Sequence, residues 1–596
     1  MIQAYYHLVQ VLLIYNNSPI YYFDNMLGRI IRTKQYLVST SIQAWNTKMF
    51  SKVVNVTTPI SYIRDNSVIA ISGFNMATTP EYLILELYKS YSRVGSPKNL
   101  FIISDALPAV PGRALDIVAQ SIYQEPSQQF LKGALMPFLG FSPWLQKLVS
   151  EDRIECYGWP IGITAYWFRE VSSGRPGLLT KIGVDTFLDP RREGAALNER
   201  GKKSRSCKVS IIDISGEEYL LYQAPKPDYA LIRASTADET GNLSMEDEGT
   251  RGTVLSIAQA AKAGPKQGTV MAQVRWLTKS WTINPREVDI PSPLVDFVIV
   301  SPKEYHSQGG TIEYDPSISY RIVPPITDRL IDTVTIGEKK EYEHIIARRI
   351  LLELIKIFEE KNAPVLVNLG IGIPALVSLV AAEEEVTEFI VTVLESGQWG
   401  GIALSGTDFG LAVSPFALST IPDMFSNFEG GIIDVASLGF LQVDKEGNVN
   451  PSILPHRIFG PGGFPVIAGG APITYFAGAF MGGETKINIL QNNLNIIQDG
   501  TIPKFVDEVF KVVFSGKQAI KFQKEILYVT ERAVFRLTSE GLVLEEIAPG
   551  IELDKDVLSK MKFKPIIKSS VGTMDEKLFR EGKMGLRDEI IKIFKR

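Results

Sequence analysis

At 596 residues the chain is too long for a single hydrophobic core, so at least two domains are expected. Its 45% apolar and 21% charged residues are those of an ordinary globular protein, and a net charge of −4 gives no general reason to expect nucleic acid as a partner. Two cysteines, Cys156 and Cys207, exclude a disulfide framework and favour a cytoplasmic setting. The four histidines (His7, His306, His344, His456) form no ligand cluster, so no metal is expected, and no P-loop occurs.

Residues 1–48 read as an N-terminal extension of little structural weight. Their apolar stretch, Leu8–Tyr15, is far shorter than the roughly 20 residues of a membrane span. No basic stretch precedes it and no cleavage signal follows, so neither a secretory leader nor a membrane partner is expected. Regular patterning opens at Met49. Val68–Ser72 reads as a buried strand, Pro80–Lys89 as a helix, and Leu100–Ser104, Tyr229–Ala234 and Phe297–Val300 as further strands. Residues 301–340 lose the period and contain Pro324-Pro325, which suits a crossing between domains.

A second alternating unit follows. Glu341–Glu359 is a periodic helix, and Val365–Asn368 is a strand entering the turn Gly370-Ile371-Gly372-Ile373-Pro374. A helix over Ala375–Ala382 and a strand over Ile432–Leu438 come next. From Ile526 the texture changes to hairpin strands, Ile526–Thr530 and Ala533–Leu537, with short helices at Val557–Met561 and Asp575–Arg580. The expected division is 49–320, 321–525 and a smaller α+β segment, 526–596.

The most informative stretch is 389–401, a β-branched run that stops at Glu395 and continues Ser-Gly-Gln-Trp-Gly-Gly. A carboxylate where a strand ends stands at the edge of an α/β sheet that receives ligands. Gly397, Gly400 and Gly401 allow backbone to approach a bound molecule closely. The two halves also echo each other. A hydrophobic strand runs into Asp238-Glu239-Thr240-Gly241-Asn242, and another into Asp444-Lys445-Glu446-Gly447-Asn448. Strand, glycine turn and proline-led helix recur at Ile69–Pro80 and Val367–Pro374. Such repetition points to a duplicated α/β fold with a site between the halves.

With these pieces in order, the chain resembles the family I CoA-transferases, and most closely their single-chain propionate/acetate type. The supporting stretches are Gly177–Arg191, Ala230–Met245, Val367–Pro374, Val393–Gly401, Asp434–Asn450 and Ile526–Gly550. The resemblance implies two related open-sheet domains of the CoA-transferase kind and homo-oligomeric assembly. It also implies transfer of CoA from a short-chain acyl-CoA to a small carboxylic acid, with CoA as substrate and no bound cofactor. The family's nucleophilic glutamate falls on Glu395, which would form a glutamyl-CoA thioester. An ordinary Glu pKa of about 4.3 would keep it ionised without a base. The turns at Ser72-Gly73-Phe74 and Gly460–Phe464 would supply oxyanion donors, with Gly73, Gly462 and Gly463 the candidates. Gly370 and Gly372 would shape the CoA entrance, Trp399 would narrow the acyl pocket, and Arg532 would brace the tail.

Three departures stand out. Relatives commonly have Cys where this chain has Pro461, more glycine in the 72–79 turn, and Gln where this chain has Ile161. Isoleucine cannot hydrogen-bond a carbonyl, so either a larger or more apolar acyl group or a weakened activity is expected. Two rival readings share the residues: a hydrolase in which water intercepts the intermediate, and a catalytically silent ligand sensor.

Overall fold

The computed structural model describes residues 51–324 and 340–594; the expected 1–48 extension lies outside the described residues. The first half is built on seven parallel strands: β1 (Val68–Ile71), β2 (Leu100–Ser104), β3 (Leu131–Leu135), β4 (Glu155–Tyr157), β5 (Tyr229–Asp238), β6 (Thr269–Thr278) and β7 (Phe297–Val300). Their order is β7-β6-β5-β1-β2-β3-β4. β1 and β2 are almost wholly buried, as their unbroken apolar sequences require in a sheet covered on both faces. Helices α1 (Glu81–Val94) and α2 (Ile161–Ser172) belong to this half.

The second half opens on α3 (Glu341–Lys361), followed by β8 (Val365–Leu369), α4 (Leu376–Glu383), β9 (Ile390–Thr392), β10 (Val435–Gly439), α5 (Phe464–Gly470) and β11 (Ile473–Ala477). Its sheet continues through β12 (Glu525–Val529), β13 (Ala533–Thr538), β14 (Gly541–Ile547) and β15 (Ile566–Thr573). The order is β9-β8-β10-β11-β12-β13-β14-β15, parallel as far as β12 and antiparallel through the β12–β13–β14 meander. The hairpin expected at 526–537 is present, and its first strand pairs directly with β11.

The duplication is visible in the strand order. Reading β2-β1-β5-β6-β7 against β9-β8-β10-β11-β12 matches five parallel strands of each sheet one for one, with β3 and β4 extending the first sheet alone. Their details match as well. Asp228 accepts the Val68 N–H at 2.9 Å and Asp434 that of Leu366 at 2.8 Å. Asp238 closes its turn on the N–H groups of Thr240 and Asn242, and Asp444 does so with Glu446 and Asn448. Asn242 and Asn448 are therefore turn formers. Arg532 is fully buried, bonded to Asp499 and Glu531 and to the carbonyl of Asp556, so it braces the C-terminal segment as expected.

One expectation is corrected. The run ending at Glu395 is a strand only over Ile390–Thr392; Val393 N–H still donates to Val367 O of β8 at 2.9 Å, and the same residue bridges Trp399, which turns the chain back. The 301–324 stretch lacks regular strands, as expected of a crossing, and is tied to the second half. Ser301, His306, Ser307 and Gln308 are buried, and Thr311 N–H donates to Asp408 of the second half at 3.0 Å. No helix among the described residues is long and apolar enough to cross a membrane.

Candidate active site

Both sheets present the C-terminal ends of their strands to a cavity of about 680 Å³. Phe74, Asn75, Ala106, Phe138 and Ile161 come from the first half, and Glu395, Gly370, Gly462, Gly463 and Lys504 from the second. This is where open α/β sheets place ligands.

Glu395 sits half-buried in the wall, three residues beyond the end of β9. Its turn is held rigidly by groups other than its own side chain. Leu394 N–H donates to Gln398 O at 3.0 Å and Gly397 N–H to Leu394 O at 3.0 Å. The first half contributes too: Thr250 Oγ1 donates to Ser396 O at 2.5 Å, and Gln398 Nε2 donates to Gly249 O at 2.8 Å. The carboxylate has no hydrogen-bond or ion-pair partner among the described residues. Burial alone pushes its pKa up to about 7. The expectation of a glutamate at its ordinary pKa is thereby corrected: burial favours the protonated carboxyl well above the usual carboxylate range.

The loop 459–463 of the second half is stitched to the first. Leu139 N–H donates to Phe459 O at 2.7 Å, and Ile161 N–H to Gly462 O at 2.9 Å. Gly463 lies directly against the nucleophile candidate, since a Cβ there would overlap Glu395 Oε2. No acceptor is found for the Gly463 N–H among the described residues. The other two expected donors are committed elsewhere. Gly73 N–H donates to Asp105 Oδ1 at 3.2 Å, and Gly462 N–H to Pro137 O at 2.9 Å. Those two amides hold loops in place, which leaves Gly463 as the free donor of the three.

The 73–79 turn is fixed from beneath by a buried ion pair. Arg233 meets Glu248 at 3.0 and 2.9 Å and also donates to the carbonyls of Met76 and Ser307 at 3.1 and 2.8 Å. Glu248 is held down at about 2 despite its burial, chiefly by the Arg233 charge, while burial lowers His306 to about 4 and keeps it neutral. Because Glu248 immediately precedes Gly249 and Thr250, one ion pair anchors both the 73–79 turn and the support of the Glu395 turn.

The remaining expected residues divide. Gly370 lines the cavity, and Gly372, in the left-handed region at φ 85°, sits between the lining residues Ile371 and Ile373. Gly397, Gly400, Gly401 and Trp399 do not line it. A Cβ on Gly397 would collide with the Ser419 carbonyl, and Gly400 and Gly401 pack on Phe416 and Val413. These glycines fold the turn rather than meet a ligand. Trp399 points its Nε1–H to Ser419 Oγ at 3.0 Å, away from the cavity lining, so it does not narrow an acyl pocket. Sequence reasoning missed Asp105, Thr250 and Lys504. Asp105 carries the same signal as Glu395, an acid just past a strand; Thr250 and Lys504 carry none.

Comparison with known proteins agrees with this geometry. The sequence profile described as Coenzyme A transferase matches residues 53–301. The chain is 35% identical to acetate CoA-transferase YdiF of Escherichia coli K12, over 89% of this chain and 96% of that protein. It is also 35% identical to caffeate CoA-transferase of Acetobacterium woodii, over 90% of this chain and 99% of that one. A crystal structure of acyl-CoA transferase YdiF from E. coli O157:H7, a thioester complex with CoA, superposes with a TM-score of 0.78 at 33% identity, covering 90% and 97% of the two chains. With both open sheets, and near full-length relatives at this identity, the chain belongs to the coenzyme A transferase family.

Proposed function

We propose that the protein moves CoA from an acyl-CoA to a free carboxylic acid with Glu395 as the covalent carrier. The supporting observation is its carboxylate, desolvated, free of partners and pressed against the Gly463 backbone in the wall of a cavity shared by both halves. A Glu395 oxygen attacks the thioester carbonyl, giving an acyl-glutamyl anhydride and CoA thiolate. The thiolate then attacks the glutamyl carbonyl, the first acid leaves as carboxylate, and a glutamyl-CoA thioester remains. A second carboxylate attacks this thioester and the steps run in reverse. Over the full cycle one acyl-CoA thioester is consumed and one is formed, so no ATP is needed. Gly463 N–H is the proposed oxyanion donor.

The proposed acyl end of the cavity is apolar, walled by Phe74, Ile161, Leu394 and Phe409. That lining supports a monocarboxylic acid with a hydrocarbon or aromatic body; relatives named for acetate and caffeate bracket the range. Cytoplasmic location and homo-oligomeric assembly belong to the same proposal, the first supported by two buried free thiols, the second to be measured by light scattering. The test of the chemistry is incubation with an acyl-CoA, alone and with a second carboxylic acid, followed by peptide mass analysis and product assay. A CoA adduct on the Glu395 peptide, with a new acyl-CoA formed for each one consumed, is the expected result. Free CoA as sole product would assign a hydrolase, and no adduct with any donor would sink the enzymatic reading.

A further inference from the structure

Behind the cavity wall the side chain of Gln398 is fully buried and joins three segments of the chain. Its Oε1 accepts from Ser396 Oγ at 2.8 Å, and its Nε2 donates to Gly249 O at 2.8 Å and to Gly410 O at 3.0 Å. Ser396 directly follows the nucleophile candidate. Gly249 belongs to the support from the first half, and its carbonyl also receives the Tyr320 hydroxyl at 2.7 Å. Gly410 directly follows Phe409, which lines the cavity at its proposed acyl end. Glu395 and Phe409 thus each stand one residue from a group bonded to the same carboxamide. The Phe409 loop is itself fitted to the first half. Phe409 O accepts from Asn75 Nδ2 at 2.8 Å, the Phe74 and Phe409 rings lie 6.2 Å apart, and a Cβ on Gly410 would stand 2.3 Å from the Phe74 ring.

A buried amide whose donors and acceptor are all engaged holds its partners in one geometry, because moving any of them leaves a polar group unpaired away from water. Close packing passes a displacement on to the next contact. An acyl body lying on Phe74 and Phe409 therefore fixes the loop whose Gly410 carbonyl holds Gln398, and Gln398 fixes Ser396. The Glu395 carboxylate has no partner of its own among the described residues, so its aim depends on that turn, and small errors of aim at a nucleophile are costly. We propose that Gln398 is a positioning residue that couples contact of the acyl body with Phe409 to the placement of Glu395, so that acyl recognition is expressed in kcat as well as in KM. This rests on the CoA-transfer reading and adds to it how the acyl wall sets the rate.

The test is a double-mutant cycle in steady-state transfer, with acetyl-CoA and hexanoyl-CoA as donors and one saturating acid as acceptor. Phe409→Ala is expected to raise KM and to lower kcat for hexanoyl-CoA, each about tenfold. Gln398→Met keeps the length of the side chain and loses its three bonds; kcat should fall about tenfold with both donors at unchanged KM. In the double variant Phe409→Ala should still raise KM but lower kcat by no more than about twofold, because the tie that carried the effect is already cut. Ser396→Ala cuts the same tie at its nucleophile end and leaves the Gly249 and Gly410 carbonyls paired, so it replaces Gln398→Met should that variant not fold; the same pattern is expected at about fivefold. Losses in kcat that multiply in the double variant, an unchanged kcat in either single variant, or an effect of Gln398→Met confined to KM overturns the proposal. Such a result with an active wild type leaves transfer through Glu395 standing, whereas a wild type without transfer from any donor removes both.

Discussion

Asp105 and Glu395 occupy the same place in the two halves. Ile69 of β1 stands opposite Ile102 of β2 and Tyr229 of β5, and Val367 of β8 stands opposite Thr392 of β9 and Val435 of β10. Three residues beyond Ile102 is Asp105; three beyond Thr392 is Glu395. Both are acids, and burial raises both, to about 6 and about 7. They differ in what meets them. Asp105 is fully buried: one oxygen receives the Gly73 N–H and the other has no partner among the described residues, whereas the longer Glu395 reaches the cavity with its carboxylate unbonded. The duplicated sheet supplies the position twice, and access to the cavity distinguishes the two copies.

The contrast can be broken most forcefully at position 395. Glu395→Gln is expected to lower transfer more than about a thousandfold, read as initial rate on freshly purified protein. The same variant tests the burial cost. The folded carboxyl titrates near 7 and the unfolded one near 4.5, so the native state binds the extra proton between these values and loses relative stability as pH rises through them. Glu395→Gln should therefore melt like wild type near pH 4 and be more stable above pH 7, by on the order of 3 kcal/mol. In wild type, kcat/KM for acyl-CoA should fall as pH drops below about 7, because the attacking form is the anion.

Gly463→Ala places a Cβ on Glu395 Oε2, and a loss of about a hundredfold in kcat is expected from the displaced carboxylate. Thr250→Val removes the bond to Ser396 O; kcat should fall about tenfold at unchanged KM, with Thr250→Ser close to wild type. Asp105→Asn keeps an acceptor for Gly73 and should change turnover by no more than about threefold. A large kcat loss in that variant, with KM and melting unchanged, would mean that both acids take part in the reaction. Smallest of all, Asn242→Ala and Asn448→Ala should each cost about 1 kcal/mol on melting and leave the rate alone, since the two turns are equivalent supports.

Much of this was legible beforehand. Unbroken apolar strands, the paired Asp-x-x-Gly-Asn turns and the abrupt stop at Glu395 carry local information, and they pointed to the duplicated sheets and to the residue proposed as nucleophile. What could not be read is what distant segments do to each other. The glycines after Glu395 look like ligand cradles in one dimension, but each is required by a neighbour, Ser419, Val413 or Phe416, brought there by the fold. Gly73 and Gly462 look like free donors until Asp105 and the Pro137 carbonyl arrive from elsewhere in the chain. The raised pKa of Glu395 likewise depends on how completely the opposite half removes water, which no local pattern states.

Among the described residues no cation pairs with Glu395, and this bears on the order of events in the proposed transfer. The ionised carboxylate repels a second carboxylate brought beside it in a poorly screened space, although Lys504 and Arg457 line the cavity elsewhere. In the proposed glutamyl-CoA thioester that position is neutral and the local repulsion is gone. Charge at one side chain, with no moving gate, then favours entry of the acid after the thioester donor.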